Sequence, residues 1–489
     1  MRLLTAGATM ALCLGVSAQL PDQYPKPLVH TPADHPAARV ILLSVDGLHA
    51  VDLANWVAGH PKSTLAELSR RGVTYTNAHT TAAAPTAGLV SLATGGTPIS
   101  TGIMSDDGFD RALGPPDPNC KKLGSPIELD GQMDASEGVT LDSLRYPRDM
   151  VHGCTPVPPH SLMRVNTIFE VVHAKIGPTA WNGKNATVTD MLSGPSGQGI
   201  DNSCGMERPG KNVDAMKFAH DSDEAGVGSM LHWIDGLDCT GKLDFQVPAL
   251  FGMSFQSVAV SQAAPGMGYV DAVGSPSAGL AKSFAYVDEA IGRMVKELKA
   301  RKLFDSTWIF VTSPYGQSPM DQRRVRHISL GQVQAAAESI HPGIVAHISG
   351  GDVAMIWLTD PARTDTAVKA LGDQAAALGI RDFYSGARLA LTLTSPAKDK
   401  RMPDIILQPE LGVLWGGTYS TAIASYGGMS DEDTHVALLV SGAQLTGRVD
   451  PTWVPTTQLA PLLLRALGME KFDLDALHQE HSPALPGIF

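Results

Sequence analysis

The sequence predicts an α/β layered fold, a central mostly parallel sheet flanked by helices, and three observations carry that expectation. Val40-Ile41-Leu42-Leu43-Ser44-Val45 is a nearly unbroken apolar run that opens into Asp46-Gly47, the pattern of a strand covered on both faces. Over 276–302, Leu280, Phe284, Val287, Ile291, Met294 and Leu298 recur at helical spacing along one face, so that stripe is core. Along most of the chain, short apolar or β-branched runs alternate with helical patterns, as they do where sheet strands are linked by helices.

Taken in order, the first strand is followed by Thr64-Leu65-Ala66-Glu67, whose spacing is that of a capping box opening a helix to Arg71. Further helices are predicted over 166–174, 214–234, 364–378 and 457–467. Strands are predicted over 249–260, 307–312, 353–358, 404–408 and 436–440, each rich in apolar or β-branched residues. Pro and Gly concentrate from Gly102 to Pro159, which predicts a loop-rich insertion near 103–160.

Met1 to Ala18 has one Arg near its start, an apolar run from Leu3 to Val16, and Val16-Ser17-Ala18 in the small-residue pattern of a cleavage site. It reads as a secretory signal peptide over 1–18, leaving 19–489 as a single domain in a secreted, periplasmic or extracellular protein. The run is too short and too polar in its flank for a span, and no later stretch reaches the roughly 20 apolar residues of a transmembrane helix. Ala11-Leu12 do not suit a lipoprotein site at Cys13. The other cysteines, Cys120, Cys154, Cys204 and Cys239, allow one or two disulfides whose pairing stays open, and none has the C-x-x-C spacing of a zinc knot. Net charge is −12. The densest basic cluster, Arg323-Arg324-Val325-Arg326-His327, reads as a solvated loop, so no nucleic-acid partner is expected.

In such folds ligands gather at the carboxyl ends of strands. Asp46 is at that position, where a carboxylate either binds a cation or caps the next turn. The segment Ala84-Pro85-Thr86-Ala87, running on to Thr94-Gly95-Gly96, opens a helix with a hydroxyl near its N-terminus.

These two segments stand in order with Ser100-Thr101-Gly102, Asp106-Asp107-Gly108-Phe109-Asp110-Arg111, the stretch 159–172, Gly194-Pro195-Ser196-Gly197, Gly316-Gln317-Ser318-Pro319 and the stretch 427–434. Together they resemble the type I phosphodiesterase/nucleotide pyrophosphatase branch of the alkaline phosphatase superfamily, from about Arg39 to the C-terminus. The resemblance implies an alkaline-phosphatase-like fold, divalent metal ions, usually zinc, held by Asp and His, a Ser or Thr nucleophile on a helix N-terminus, and a small phosphate-ester substrate. Two cations about 4 Å apart clamp the attacking and leaving oxygens in such chemistry. Carried over residue by residue, Asp46 matches the first metal carboxylate.

The rest of that site departs from the pattern. Pro85 falls at the place of the nucleophile, and the neighbouring hydroxyl, Thr86, is the catalytic candidate; otherwise Pro85 starts a helix and Thr86 caps or packs. Thr80, Thr81 and Ser91 are lesser candidates. Tyr315, Tyr426, Gly183-Lys184-Asn185 and Phe255-Gln256 stand where the resemblance places Asp and His ligands. Phenol and amide groups are poor zinc ligands near neutral pH. Among the remaining histidines, His79 and His435 are read as surface residues or substitute ligands, with Asp433 and His435 the pair to test. Asp106, Asp107 and Asp110 form an acidic cluster that holds a cation such as calcium or is simply solvated. Three functions follow: a metal-dependent phosphodiesterase or phosphatase, a catalytically inactive pseudoenzyme that binds a ligand, or another hydrolase or transferase on the same fold.

Overall fold

The structure, a computed structural model, describes residues 36–135, 140–205, 213–417, 420–469 and 473–488. The leader read over 1–18 lies outside the described residues. The principal sheet has eight strands, and its order runs Arg448–Asp450, Gly72–His79, His435–Ser441, Thr307–Thr312, Arg39–Val45, Leu250–Phe255, Thr179–Asn182, with Val454–Pro455 also paired to Gly72–His79. All neighbours are parallel except His435–Ser441, which runs antiparallel to both of its own. That reversal brings the start of His435–Ser441 to the same edge as the carboxyl ends of the parallel strands.

The apolar run of the first strand is explained by burial on both faces. Val40 and Leu42 pack with Trp181, Phe310 and Leu438 beneath residues of helix Leu459–Ala466, whereas Ile41, Leu43 and Val45 pack with Phe251, Met253 and Val311 beneath helices Ala215–Ile234 and Ala278–Ala300. The stripe at Leu280, Phe284, Val287, Ile291, Met294 and Leu298 is buried as its spacing requires.

Several expectations shift in detail. Helix Ala50–Gly59, which the sequence reading did not anticipate, comes first after that strand. The helix expected from Thr64 to Arg71 spans Thr64–Arg70 and is capped by Ser63, whose side chain accepts from the Ala66 amide, and with Ala66 as its third residue the capping box read at Thr64 does not form. The free amides of Thr64 and Leu65 donate instead to Asp288. The strand expected over 249–260 stops at Phe255, and helix Ser257–Ala263 begins at once. The helix expected over 364–378 is two, Thr364–Gly372 and Ala375–Leu378. The strands expected over 353–358 and 404–408 form, but in a separate antiparallel sheet, ordered Val345–Ser349, Ala354–Leu358, Ile405–Pro409, Ile380–Ser385, with its own apolar core. Arg326, in the basic cluster read as a loop, opens a strand, Arg326–Ser329.

The cysteines pair as Cys120–Cys154 and Cys204–Cys239. The first closes a loop inside the insertion, where the strands are short: Asp107–Asp110 with Ser125–Glu128, and Arg148–Asp149 with Thr155–Pro156. This insertion folds back over the sheet edge and delivers Asp106 to the site.

Candidate functional site

Asp46 follows directly on the first strand and is 5 % exposed, its amide held by the carbonyl of Phe255 at 2.9 Å. Gly47 turns the chain away with φ +79°, and a Cβ there would meet Gln262 Oε1 at 2.3 Å, so only glycine fits. Gln262 donates to the Gly47 carbonyl and to the Tyr269 hydroxyl, both at 2.8 Å. Behind the turn, buried His49 contacts Tyr269 at 2.8 Å through Nδ1 and the Glu432 carbonyl at 2.8 Å through Nε2. This network, which the sequence did not advertise, fixes the direction in which Asp46 leaves the sheet.

Helix Pro85–Thr94 starts at the same edge with Pro85 in its first turn, and every residue of it is buried. Pro85 has no N–H, so the first amide offered is that of Thr86, and it donates to Asp106 Oδ1 at 2.8 Å. A helix N-terminus is a natural anion site. Here the anion is the protein's own carboxylate. Thr86 Oγ1 and Asp106 Oδ2 are buried and make no hydrogen bond within the protein.

Two phenols close the pocket. Tyr315, three residues past the Thr307–Thr312 strand, donates to Asp46 Oδ2 at 3.3 Å, and its ring lies 5.1 Å from that of Tyr426. Tyr315 and Tyr426 pack with Ala83 and Ala259, and the Gly427 amide donates to the Ala83 carbonyl at 2.7 Å. Asp46, Asp106 with Thr86, Tyr315 and Tyr426 therefore share one enclosure.

The electrostatics are those of a buried acidic site. Burial pushes the Asp46 carboxyl up to about 7, Lys184 opposes that, and Asp223 and Asp106 reinforce it. Tyr315 is held well above the usual phenol range by burial and by Asp46, and Tyr426 is raised by burial and by Asp106. Both phenols are therefore neutral, and Tyr315 is a donor. Asp223, raised to about 6 chiefly by burial, accepts from the amides of Gln256 and Ser257 at 2.7 and 3.0 Å and so caps helix Ser257–Ala263. Sequence reasoning missed it, although a carboxylate on the buried face of helix Ala215–Ile234 was a readable signal.

Other candidates are placed elsewhere. Asn185 caps helix Ala186–Leu192, accepting from the Val188 amide at 2.8 Å. The acidic cluster does not converge: Asp106 faces Thr86, Asp107 pairs with His347 at 2.7 Å, and Asp110 pairs with Arg401 at 2.9 Å. The pairing of Asp433 with His435 also fails. Asp433 accepts from Ser430, and burial together with Asp433 holds the carboxyl of Asp352 well above the usual carboxylate range, whereas His435 faces Asp431 and the Thr76 carbonyl. Asp433 still touches the site indirectly, since its carbonyl accepts from the Gly316 amide beside Tyr315 at 2.7 Å.

A two-zinc centre needs several neutral imidazoles and ionised carboxylates around each ion. The donors in this pocket are two carboxylates, one of them raised toward neutral pH, a threonine hydroxyl and two protonated phenols. That set does not fit a pair of zinc ions.

The layered sheet with its helices is an alkaline-phosphatase-like fold. The same fold is seen in alkaline phosphatase PafA, at 12% identity over 89% of this chain and 96% of that one with TM-score 0.58. It is seen also in human ectonucleotide pyrophosphatase/phosphodiesterase 5 at 19% identity, 88% and 95% coverage and TM-score 0.56, and in the murine protein at 17%, 88%, 96% and 0.55. The type I phosphodiesterase/nucleotide pyrophosphatase family profile matches residues 40–436, and the chain belongs to that family. No curated protein matches the chain by sequence. Among the described residues no helix is long and apolar enough to cross a membrane.

Proposed function

We propose that this chain is a non-catalytic member of the phosphodiesterase family, a pseudoenzyme acting as a binding protein, whose inherited site no longer hydrolyses phosphate esters by the two-metal route. The observation that carries this reading is the filling of the inherited site from within. Asp106 occupies the helix N-terminus where a phosphate oxygen would be stabilised, and Tyr315 donates to Asp46 where a cation would accept that carboxylate's lone pairs. Pro85 supplies neither a hydroxyl nor an amide. Purified protein assayed with bis-p-nitrophenyl phosphate and nucleotide substrates, with zinc, manganese, magnesium or calcium supplied, is expected to show no turnover. Turnover that disappears in Asp46→Ala overturns the proposal.

A second reading is supported by the unpartnered atoms. Thr86 Oγ1 and Asp106 Oδ2 are buried without a hydrogen bond within the protein, which suits a hydroxyl nucleophile beside a single hard cation such as magnesium. Activity that requires both Asp46 and Thr86 would select it. Export is part of the proposal too: the residues of 1–18 have the signal-peptide pattern, and two disulfides suit an oxidising compartment.

A further inference from the structure

We infer that His79, His435 and Asp431 form a zinc-binding site at the carboxyl edge of the sheet, outside the Asp46 pocket. His79 ends one strand and His435 begins its antiparallel neighbour, and the two are direct cross-strand partners. Their imidazoles stack with ring centres 4.7 Å apart and planes 11° from parallel. One ligand atom from each of His79, Asp431 and His435 lies within 4.8 Å of the others, and sharing one ion requires the stacked rings to turn so that their in-plane lone pairs converge.

The hydrogen bonds around the rings assign the tautomers. His435 Nε2 lies 2.7 Å from the Thr76 carbonyl, an acceptor only, so Nε2 carries the proton. His79 Nε2 lies 2.9 Å from Asn77 Oδ1, and the orientation of that amide is set by its Nδ2 donating to the Pro451 carbonyl at 3.5 Å. Both rings thus present Nδ1 as the lone-pair atom. Pinning of the far N–H by a carbonyl is the arrangement that orients metal-bound histidines and raises their basicity. His435 Nδ1 faces Asp431 Oδ2 at 3.5 Å. His79 Nδ1 faces Thr434 Oγ1 at 3.3 Å, and that hydroxyl has a second acceptor in the Ser430 carbonyl at 2.9 Å, so a metal on Nδ1 strands no donor.

The donor set is two imidazoles and one carboxylate, borderline ligands that suit zinc better than calcium or magnesium. Asp431 is exposed and the histidines half-buried, which leaves an entry path from solvent and one coordination position for water or an anion. The exposed indole of Trp453 stacks 6.0 Å from the His79 ring.

Equilibrium dialysis of the purified chain against zinc, followed by elemental analysis, tests this directly, with cobalt substitution as an optical readout and quenching of Trp453 fluorescence as a local one. One equivalent is expected in the parent protein, none in the His79→Ala/His435→Ala double variant, and a full equivalent in Asp46→Asn. Asn77→Ala, which leaves the three ligands in place, should weaken binding about tenfold. If the double variant fails to fold, Asp431→Asn at its exposed position serves in its stead, and it should weaken binding and abolish the zinc-dependent rise in Tm. No uptake by the parent, uptake unchanged in the double variant, or uptake lost in Asp46→Asn each overturns the assignment.

Discussion

The Thr86 amide donates to the Asp106 side chain at 2.8 Å, so the first free N–H of a wholly buried helix is aimed at a carboxyl group of the same chain. A phosphate oxygen and a carboxylate compete for that place.

Replacing the carboxylate by its neutral isostere should reopen it. Asp106→Asn keeps an acceptor for the Thr86 amide while removing the charge. We expect the parent protein to show no saturable binding of orthophosphate at millimolar concentration and Asp106→Asn to show it, measured by isothermal titration calorimetry. Equal heats from both proteins would refute a blocking role for Asp106.

The buried Asp46 carboxyl makes stability depend on pH. Its folded pKa, about 7, lies above its ordinary value of 3.8, so across that window the folded chain holds a proton that the unfolded chain has released. Stability contributed at this position therefore falls as pH rises from about 4 to about 7 and stays at the lower level above. Asp46→Asn removes the penalty. The variant should match the parent near pH 4 and exceed it at pH 8, by an amount on the order of a few kcal/mol at most. Urea unfolding at the two pH values checks this, and a pH-independent difference would contradict it.

Tyr315→Phe removes the phenol that donates to Asp46. The carboxylate loses a donor that favours its charged form, so its pKa should rise further. Carboxyl carbon chemical shifts followed through a pH titration would reveal the shift, and an unchanged or lowered midpoint would show that the 3.3 Å contact does not act on Asp46.

Asp223 is a structural cap, and its loss should be felt in stability. Asp223→Ala leaves the amides of Gln256 and Ser257 without their acceptor, which costs about 2 kcal/mol or more. Asp223→Asn retains one acceptor oxygen and should lose less. Equilibrium urea unfolding separates the two, and equal losses would point to charge rather than capping.

The fold was readable wherever burial imposes a period. Residues 40–45 are apolar throughout because alternate side chains enter different cores, and the stripe from Leu280 to Leu298 follows from one packed helix face. The inherited position of Asp46 was readable for the same reason, since it follows directly on a buried strand. Asp106 was not, because it reaches Thr86 only when the insertion folds back across the sheet edge. The grouping of His79 with His435 depends on the register of two strands more than three hundred residues apart in sequence, and no local pattern encodes that. Asp433 and His435 looked like a pair by proximity in the chain. They part because Asp433 belongs to the capped turn Asp431–Thr434 and His435 to the strand that follows, so each takes its partners from a different element.

The number of divalent ions held by the His79→Ala/His435→Ala variant decides whether the Asp46 pocket has lost its metals, because that variant isolates the pocket. Elemental analysis after dialysis against zinc should find none, in keeping with a pocket filled by Asp106, Tyr315 and Tyr426. Two zinc ions per chain, lost on Asp46→Ala, would mean that the family's metal centre is intact and that the account of this pocket is wrong.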